Sequence, residues 1–234
     1  MRAYGSSGCP EVQVEVQVLV PVKELDRAKS RLDVTEEARR ELALGFVLDT
    51  IATVLRCAAV GEVVVGTRDA YVAARVADLG ARVVVPPAPG DLNGDIAWAL
   101  GRLAPGRPTA VLVSDLPAMS VADLDEALAR ARRRGIPRRV ADLDGTGTTL
   151  LTAPDHRIEP RFGSGSAARH RAAGMEPLGD DLAGLRCDVD DMQSLRQAVR
   201  LGVGPHTAAV LSSTAPDLLR DDSVVGASTG TTGR

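Results

Sequence analysis

The sequence predicts an α/β fold built on a mainly parallel sheet, and three observations carry that prediction. Short apolar runs alternate with longer stretches of helical periodicity from Val18 to Arg134, the pattern of successive β-α units. The first run, Val18–Val22, opens into a basic segment holding Lys23, Arg27, Lys29 and Arg31 before a helix begins near Thr35. Strand, basic loop, helix is one way to hold a polyphosphate at the C-terminal end of a parallel sheet. Third, 234 residues at 44% hydrophobic can bury a sizeable core in one large domain or at most two small ones.

The elements follow in order. Residues 1–16 read as an extension, with Gly5-Ser6-Ser7-Gly8 linker-like and Val12, Val14 and Val16 alternating with polar residues. The first helix spans about Glu36 to Cys57, with Leu42, Phe46, Ile51 and Leu55 at three- to five-residue steps and acids in its first turn. Glu62–Val65 is a second strand, and Asp69–Leu79 a second helix with Gly80 at its C-cap. Arg82–Val85 is a third strand, stopped by Pro86-Pro87; Asn93 or Asp95 then caps a helix carrying Ile96, Trp98 and Leu103. Thr109–Val113 is the fourth strand, followed by a helix from Val121 to Arg134 with Gly135 beyond it. After this the rhythm changes. Arg139–Leu143 and Thr148–Thr152 read as two strands, and a short helix ends near Ala173. Leu185–Asp190 reads as a strand feeding a last helix, Met192–Leu201. The domain proper is 17–211, and the Ser, Thr, Gly and Asp of 212–234 predict a disordered tail.

Composition excludes several classes of function. Aromatics are 2% of the chain, too few for base-stacking platforms. A net charge of −3 argues against a nucleic-acid or anionic-membrane surface. Three cysteines and three histidines, widely spaced, match neither a zinc site nor a disulfide framework. No signal peptide is evident and no apolar run reaches the ~18 residues of a membrane span, so a reducing cytoplasm is the default. A homodimer is left open.

Four constellations carry candidate chemistry. The chain has 28 Lys plus Arg, yet its lysines are Lys23 and Lys29 alone, both in the basic loop. An ammonium is a compact point charge suited to phosphate oxygens, whereas Arg offers a planar fork. The loop is not a Walker A loop, since Gly-x-x-x-x-Gly-Lys-Ser/Thr does not occur. A carboxylate set comes next: Asp115 closes the fourth strand, and Asp188 and Asp190, two apart on an expected strand, share a face. Such oxygen ligands suit Mg²⁺ together with substrate phosphates; against this, Asp190 or Asp191 is also placed to cap the last helix. The third is Gly145-Thr146-Gly147-Thr148-Thr149, either an anion-binding nest or, slightly favoured, a hairpin turn. The fourth is Gly163–Ser166, where Ser166 is either a phosphate ligand at a helix start or an ordinary N-cap. Two phosphate-compatible sites beside a metal-compatible set suggest nucleotidyl transfer between a nucleoside triphosphate and a phosphorylated small molecule.

Val20-Pro21-Val22-Lys23 with Ala28-Lys29-Ser30-Arg31-Leu32, then Leu92-Asn93, Ser114-Asp115-Leu116-Pro117, Gly145-Thr146-Gly147-Thr148, Pro160-Arg161-Phe162-Gly163 with Ser166-Ala167-Ala168-Arg169-His170, and Leu185-Arg186-Cys187-Asp188-Val189-Asp190 occur in that order. Together they resemble the 2-phospho-L-lactate/phosphoenolpyruvate guanylyltransferase family of deazaflavin coenzyme F-420 biosynthesis. The resemblance implies a single-domain, three-layer α/β sandwich of the nucleotide-diphospho-sugar-transferase type, similar to molybdenum-cofactor guanylyltransferases. It implies Mg²⁺-dependent transfer of GMP from GTP onto the phosphate of a three-carbon acid. By position, Asp115, Asp188 and Asp190 would hold metal, and Thr148, Gly163 and Ser166 the phosphorylated acid. Lys23, Lys29 and Arg31 would face the GTP phosphates as the catalytic cations, and Leu92 and Asn93 the nucleoside. Phosphoenolpyruvate is favoured over 2-phospho-L-lactate because an Arg-rich, Lys-poor chain fits a high-G+C bacterium. The competing readings are a sugar-phosphate or molybdenum-cofactor nucleotidyltransferase, and a non-catalytic nucleotide-binding regulator of the same fold.

Overall fold

The computed structural model describes residues 15–25, 29, 31–88 and 90–220. Its strands are β1 (Val16–Pro21), β2 (Val60–Gly66), β3 (Arg82–Val84), β4 (Thr109–Leu112), β5 (Arg138–Ala141), β6 (Thr148–Ala153) and β7 (Glu176–Pro177). Its helices are α1 (Glu36–Arg56), α2 (Ala70–Asp78), α3 (Leu92–Leu100), α4 (Val121–Arg134), α5 (Ser166–Ala172), α6 (Ala183–Arg186), α7 (Met192–Leu201) and α8 (Pro205–Thr214). The strands form one sheet in the order β3-β2-β1-β4-β6-β5-β7. Only β6 runs against its neighbours, β4 and β5; the other pairs are parallel.

Strand alternation splits the core into two layers. Val18 and Val20 of β1, Val63 and Val65 of β2, and Ala110 and Leu112 of β4 face α1, α2 and α4. Leu19, Val64 and Val111, one residue out of phase, face α3 together with Ile158, Phe162 and Met175. A sheet buried on both faces needs apolar residues at consecutive positions, which is why β1 reads as a run rather than an alternation. The result is the α/β sandwich expected, with helices on both sides.

Local signals explain the helix ends. Thr35 caps α1, Asp69 caps α2, and Ser120 forms a reciprocal capping box with Asp123 at the start of α4. Gly135 closes α4 at φ 61°, a left-handed conformation that glycine adopts without a Cβ penalty. The cap of α3 differs from expectation: Asp91, not Asn93 or Asp95, accepts the Gly94 N–H at 2.8 Å. Asp95 instead pairs with Arg68 at 2.8 Å.

Two larger corrections concern the C-terminal third. Leu185–Asp190 is not a strand: its first part is the one-turn helix α6, and its remainder is irregular. Leu185, Cys187 and Val189 are buried in alternation, which imitates a strand period. The backbone, however, is held by single bonds, Val189 N–H to the Asp115 carbonyl at 3.0 Å and Leu143 N–H to the Arg186 carbonyl at 3.0 Å. The second correction is the expected tail. Ser212–Thr214 complete α8, and Pro216–Leu219 form a 3-10 turn. Buried Asp49 of α1 holds the start of α8 by accepting the N–H groups of His206 and Thr207 at 3.0 and 2.8 Å. A tertiary partner thus makes helical a stretch whose composition alone suggests disorder. Residues 221–234 and residues 1–14 of the expected extension lie outside the described residues; Val16 already belongs to β1.

Candidate functional site

The C-terminal ends of β1 and β4 and the loops after β5 and α6 surround a cleft of about 650 Å³. Lys23, Lys29, Arg31, Leu92, Asp115, Thr148, Gly163, Ser166, Asp188 and Asp190 all line it. Ten residues spread over 168 positions of sequence therefore converge on one space. Asn93 does not line it. Its amide clamps the backbone of Phe162, accepting the N–H at 2.7 Å and donating to the carbonyl at 3.1 Å, so it ties α3 to the loop that carries Gly163.

One part of the lining is the acidic group. Asp115 follows β4, and Asp188 and Asp190 lie on the segment fastened to it by the Val189 bond. Lys29 donates to the carboxylates of Asp115 and Asp190, at 2.9 Å for Asp190. The Lys29 side chain is 10% exposed and its backbone sits at φ 56°, a left-handed conformation uncommon for a side chain with a Cβ. Burial disfavours its ammonium, but the charges of Asp115 and Asp190 and the hydrogen bonds to them outweigh it and hold the lysine protonated. Lys29 was expected to face nucleotide phosphates; here it is engaged by the carboxylates. Asp188 is pushed up to about 8, by burial first and then by the charges of Asp115, Asp190 and Asp142. Capping falls to Asp191, which accepts the N–H groups of Gln193 and Ser194 at 2.9 Å each and leaves Asp190 for the cleft.

Among the described residues, no three carboxylate, histidine or cysteine side chains close on a common point as a ready-made metal cage. The donor set nevertheless fits Mg²⁺. Asp115 Oδ1 is buried without a hydrogen-bond partner, and the burial and neighbouring carboxylates that raise Asp188 mark a place short of positive charge. Mg²⁺ needs only one or two carboxylates when phosphates and waters complete its shell.

The hydroxyls form another part of the lining. The Gly145-Thr146-Gly147 segment is the turn of the β5–β6 hairpin, and its N–H groups are not open to a ligand. The Asp142 carboxylate fills that nest, accepting from Thr146 at 2.9 Å and Gly147 at 2.6 Å. Thr148 and Ser166 do face the cleft, buried and 3.2 Å apart through their hydroxyls. Ser166 is not an N-cap: the cap position of α5 is Gly165, at φ 71°. The backbone N–H groups of Ser166 and Ala167 are spent on the carbonyls of Gly163 and Thr146, both at 3.0 Å, so the hydroxyls, not the helix end, are what this wall offers. Gly163 sits at φ 110°, where a side chain would be strained. Arg169 braces this loop from below by donating to the carbonyls of Arg161, Phe162 and Ser164.

Two residues of this wall escaped the sequence reading. Asp142 fell within the expected strand Arg139–Leu143, but β5 ends at Ala141 and Asp142 opens the turn. His170 lies four residues after Ser166 and so on the same face of α5; it is fully buried, 2.9 Å from the Thr148 hydroxyl through Nδ1. Lys23, also in the cleft lining, is exposed and forms no ion pair among the described residues. Elsewhere, Cys57 and Cys187 are buried, their thiols pushed up to about 12 and about 11, chiefly by burial, which leaves little thiolate for chemistry. No helix among the described residues is long and apolar enough to cross a membrane.

Comparison with known proteins gives the family and the fold. Residues 16–213 match the family model described as guanylyl transferase CofC like. The phosphoenolpyruvate guanylyltransferase of Streptomyces coelicolor is 47% identical over 201 residues, covering 82% of this chain and 94% of that protein. The enzyme of the same name from Mycolicibacterium smegmatis is 41% identical over 220 residues, covering 91% and 97%. Among solved structures, a protein described as a nucleotide-diphospho-sugar transferase from Desulfovibrio desulfuricans superposes with a TM-score of 0.63 at 18% identity, covering 88% of this chain and 96% of that one. The 4-diphosphocytidyl-2C-methyl-D-erythritol synthase of Anaerococcus prevotii gives 0.53 at 10% identity, covering 80% and 95%. At those identities the structures establish the fold.

Proposed function

The chain belongs to the CofC-like guanylyl transferase family, and we propose from this that it transfers GMP from GTP to the phosphate of phosphoenolpyruvate, releasing pyrophosphate, as a step toward deazaflavin coenzyme F-420. The observation that carries the reading is the single cleft that gathers carboxylates, hydroxyls and a lysine. Asp115, Asp188 and Asp190, the Thr148–Ser166 hydroxyl pair and Lys23 all line one space. The names of the relatives at 41% identity and above favour phosphoenolpyruvate as the acid.

The chemistry follows from charge. A phosphate oxygen of the acid attacks the α-phosphorus of GTP; a new P–O bond forms as the bond to the β-phosphate oxygen breaks, and pyrophosphate departs with the electron pair. A phosphate oxygen is already nucleophilic near neutral pH, so the reaction requires no general base, and positioning plus electrostatics must supply the rate. Thr148 and Ser166 orient the acid's phosphate, and Gly163 leaves room for it. Lys23 and Arg31 offset the charge of the triphosphate. Lys29 balances Asp115 and Asp190. When bound by Asp115, Asp188 and Asp190, Mg²⁺ would neutralise charge on the reacting phosphates and on pyrophosphate.

The test is pyrophosphate release from GTP with phosphoenolpyruvate, 2-phospho-L-lactate, 3-phosphoglycerate, sugar phosphates and molybdopterin, each with and without Mg²⁺. Release with phosphoenolpyruvate, dependent on Mg²⁺, is expected. Release only with sugar phosphates or molybdopterin would replace this reading with a different transferase, and none with any acceptor would point to a regulator.

A further inference from the structure

We propose that His170 is a positioning residue: by presenting an Nδ1–H to Thr148, it guarantees that the Thr148–Ser166 pair has a hydroxyl proton left to donate to a fully ionised phosphate in the cleft. The inference rests on the acid site proposed above and adds a residue that touches no substrate.

The argument is a proton count. The Arg161 backbone N–H donates to His170 Nε2 at 3.0 Å. A backbone amide can only donate, so Nε2 carries no proton, and the neutral ring must carry its proton on Nδ1. Nδ1 lies 2.9 Å from Thr148 Oγ1, which therefore accepts. Thr148 and Ser166 are 3.2 Å apart through their hydroxyls and hold one proton each. One of these is used within the pair, whichever group donates. The other has no partner among the described residues and faces the cleft.

The opposite tautomer reverses the outcome. If Nδ1 were an acceptor, Thr148 would donate to it, Ser166 would donate to Thr148, and no hydroxyl proton would remain. The wall would then offer lone pairs to an anion that is itself all acceptor, a repulsive pairing. The single backbone bond from Arg161 thus decides whether the wall attracts or repels phosphate. The ring is kept in place by full burial and by edge-to-face contact with Phe162, centroids 5.3 Å apart. It is also kept neutral. Burial first, then Arg169 on its own helix, Arg139 on β5 and Arg161 on the facing loop, hold the imidazole down at about 4, and an imidazolium would set its Nε2–H against the Arg161 N–H.

Side-chain amides dissect the two bonds. In His170→Asn the amide nitrogen falls near the position of Nδ1 and restores a donor to Thr148. In His170→Gln the amide oxygen falls near Nε2, keeping the acceptor for Arg161 but losing the donor. We expect His170→Gln to raise the KM for phosphoenolpyruvate about tenfold, the loss of one charge-assisted bond, and to leave the KM for GTP unchanged; His170→Asn should recover most of that loss. Equal KM values for phosphoenolpyruvate in both variants and wild type would overturn the proposal, as would equal losses in both. Thr148→Val and Ser166→Ala serve as references: if they too leave that KM unchanged, the acid site itself is misplaced, whereas a rise in them without one in His170→Gln removes only the role of His170. The tautomer is also read directly on the unaltered protein, with His170→Asn serving only to assign the signal. Long-range ¹H–¹⁵N correlation at pH 7 should show, for one of the three histidines, a neutral ring protonated on Nδ1, assigned by its disappearance in His170→Asn. A ring protonated on Nε2, or an imidazolium, would overturn the inference.

Discussion

Replacing Asp188 by Asn should make the metal-free protein more stable and nearly inactive, and the stability gain should depend on pH in a defined direction. The folded state holds the proton of Asp188 up to about 8, against 3.8 ordinarily. The native state therefore binds more protons than the unfolded state between those values, and stability falls as pH rises through that window. The penalty is absent below about pH 4 and complete above about pH 8. Moving a carboxyl from 3.8 to about 8 corresponds to an upper limit on the order of 6 kcal/mol, at about 1.4 kcal/mol per pH unit. Asp188 is partly exposed and lies near Lys29, which offsets some of the repulsion. We therefore expect Asn, close in shape but uncharged, to gain on the order of 1–3 kcal/mol at pH 8, a Tm rise of roughly 3–10 °C for a chain of this size. Melting curves of both proteins in EDTA at pH 4, 6 and 8 measure this. The difference in Tm should be near zero at pH 4 and grow monotonically to pH 8. In saturating Mg²⁺ the same variant should lose at least about 10²-fold in activity, the scale for removing one electrostatic element from a reaction centre. A Tm difference that is flat with pH, or that favours the wild type at pH 8, would refute the electrostatic account. Wild-type activity at saturating Mg²⁺ would remove Asp188 from the metal set.

Lys23→Ala should raise the KM for GTP and leave the acid's KM unchanged, with Lys23→Arg restoring part of the loss because a fork replaces a point charge; unchanged GTP kinetics would refute its role. Ser166→Ala should raise the acid's KM about tenfold without a matching change for GTP, and a lower Tm with unaltered kinetics would make the hydroxyl purely structural. Gly163→Val should lower Tm as well as weaken acid binding, because the backbone sits at φ 110°; a fully stable variant would show that the loop tolerates a side chain there. Asn93→Ala should lower Tm by roughly 2–8 °C through loss of its two bonds to Phe162 and leave the preference for GTP over ATP intact, whereas a change in that preference would return Asn93 to the nucleoside site.

The sequence by itself determined the architecture of the N-terminal half. Val18–Val22 and Thr109–Val113 are apolar at consecutive positions, and such runs form strands only where both sheet faces are covered. Thr35, Asp69, Ser120 and Gly135 mark helix ends by local hydrogen bonds and backbone freedom, interactions that span a few residues and so are legible in a linear string. Most of the candidate site was legible for a different reason. Lysines confined to one loop, aspartates at strand ends and hydroxyls beside glycines are chemically specific wherever the chain carries them.

What only the tertiary structure decided is how those groups are partnered. A carboxylate five residues from its target or one hundred and fifty-eight looks the same in a sequence. Asp142 filling the Gly-Thr-Gly nest, Asp91 and Asp191 taking the caps, and Asp49 holding the start of α8 are choices among many acids with equal local credentials. The 187–190 segment shows the same limit from the side of burial: alternation foretold which side chains turn inward but not whether a neighbouring strand would receive its N–H groups. Lys29 joining Asp115 and Asp190, and His170 reaching Thr148, each unite residues from separate elements. Such pairings are set by the packing of the sheet and its helices, because only there do desolvation and geometry select one partner from the alternatives.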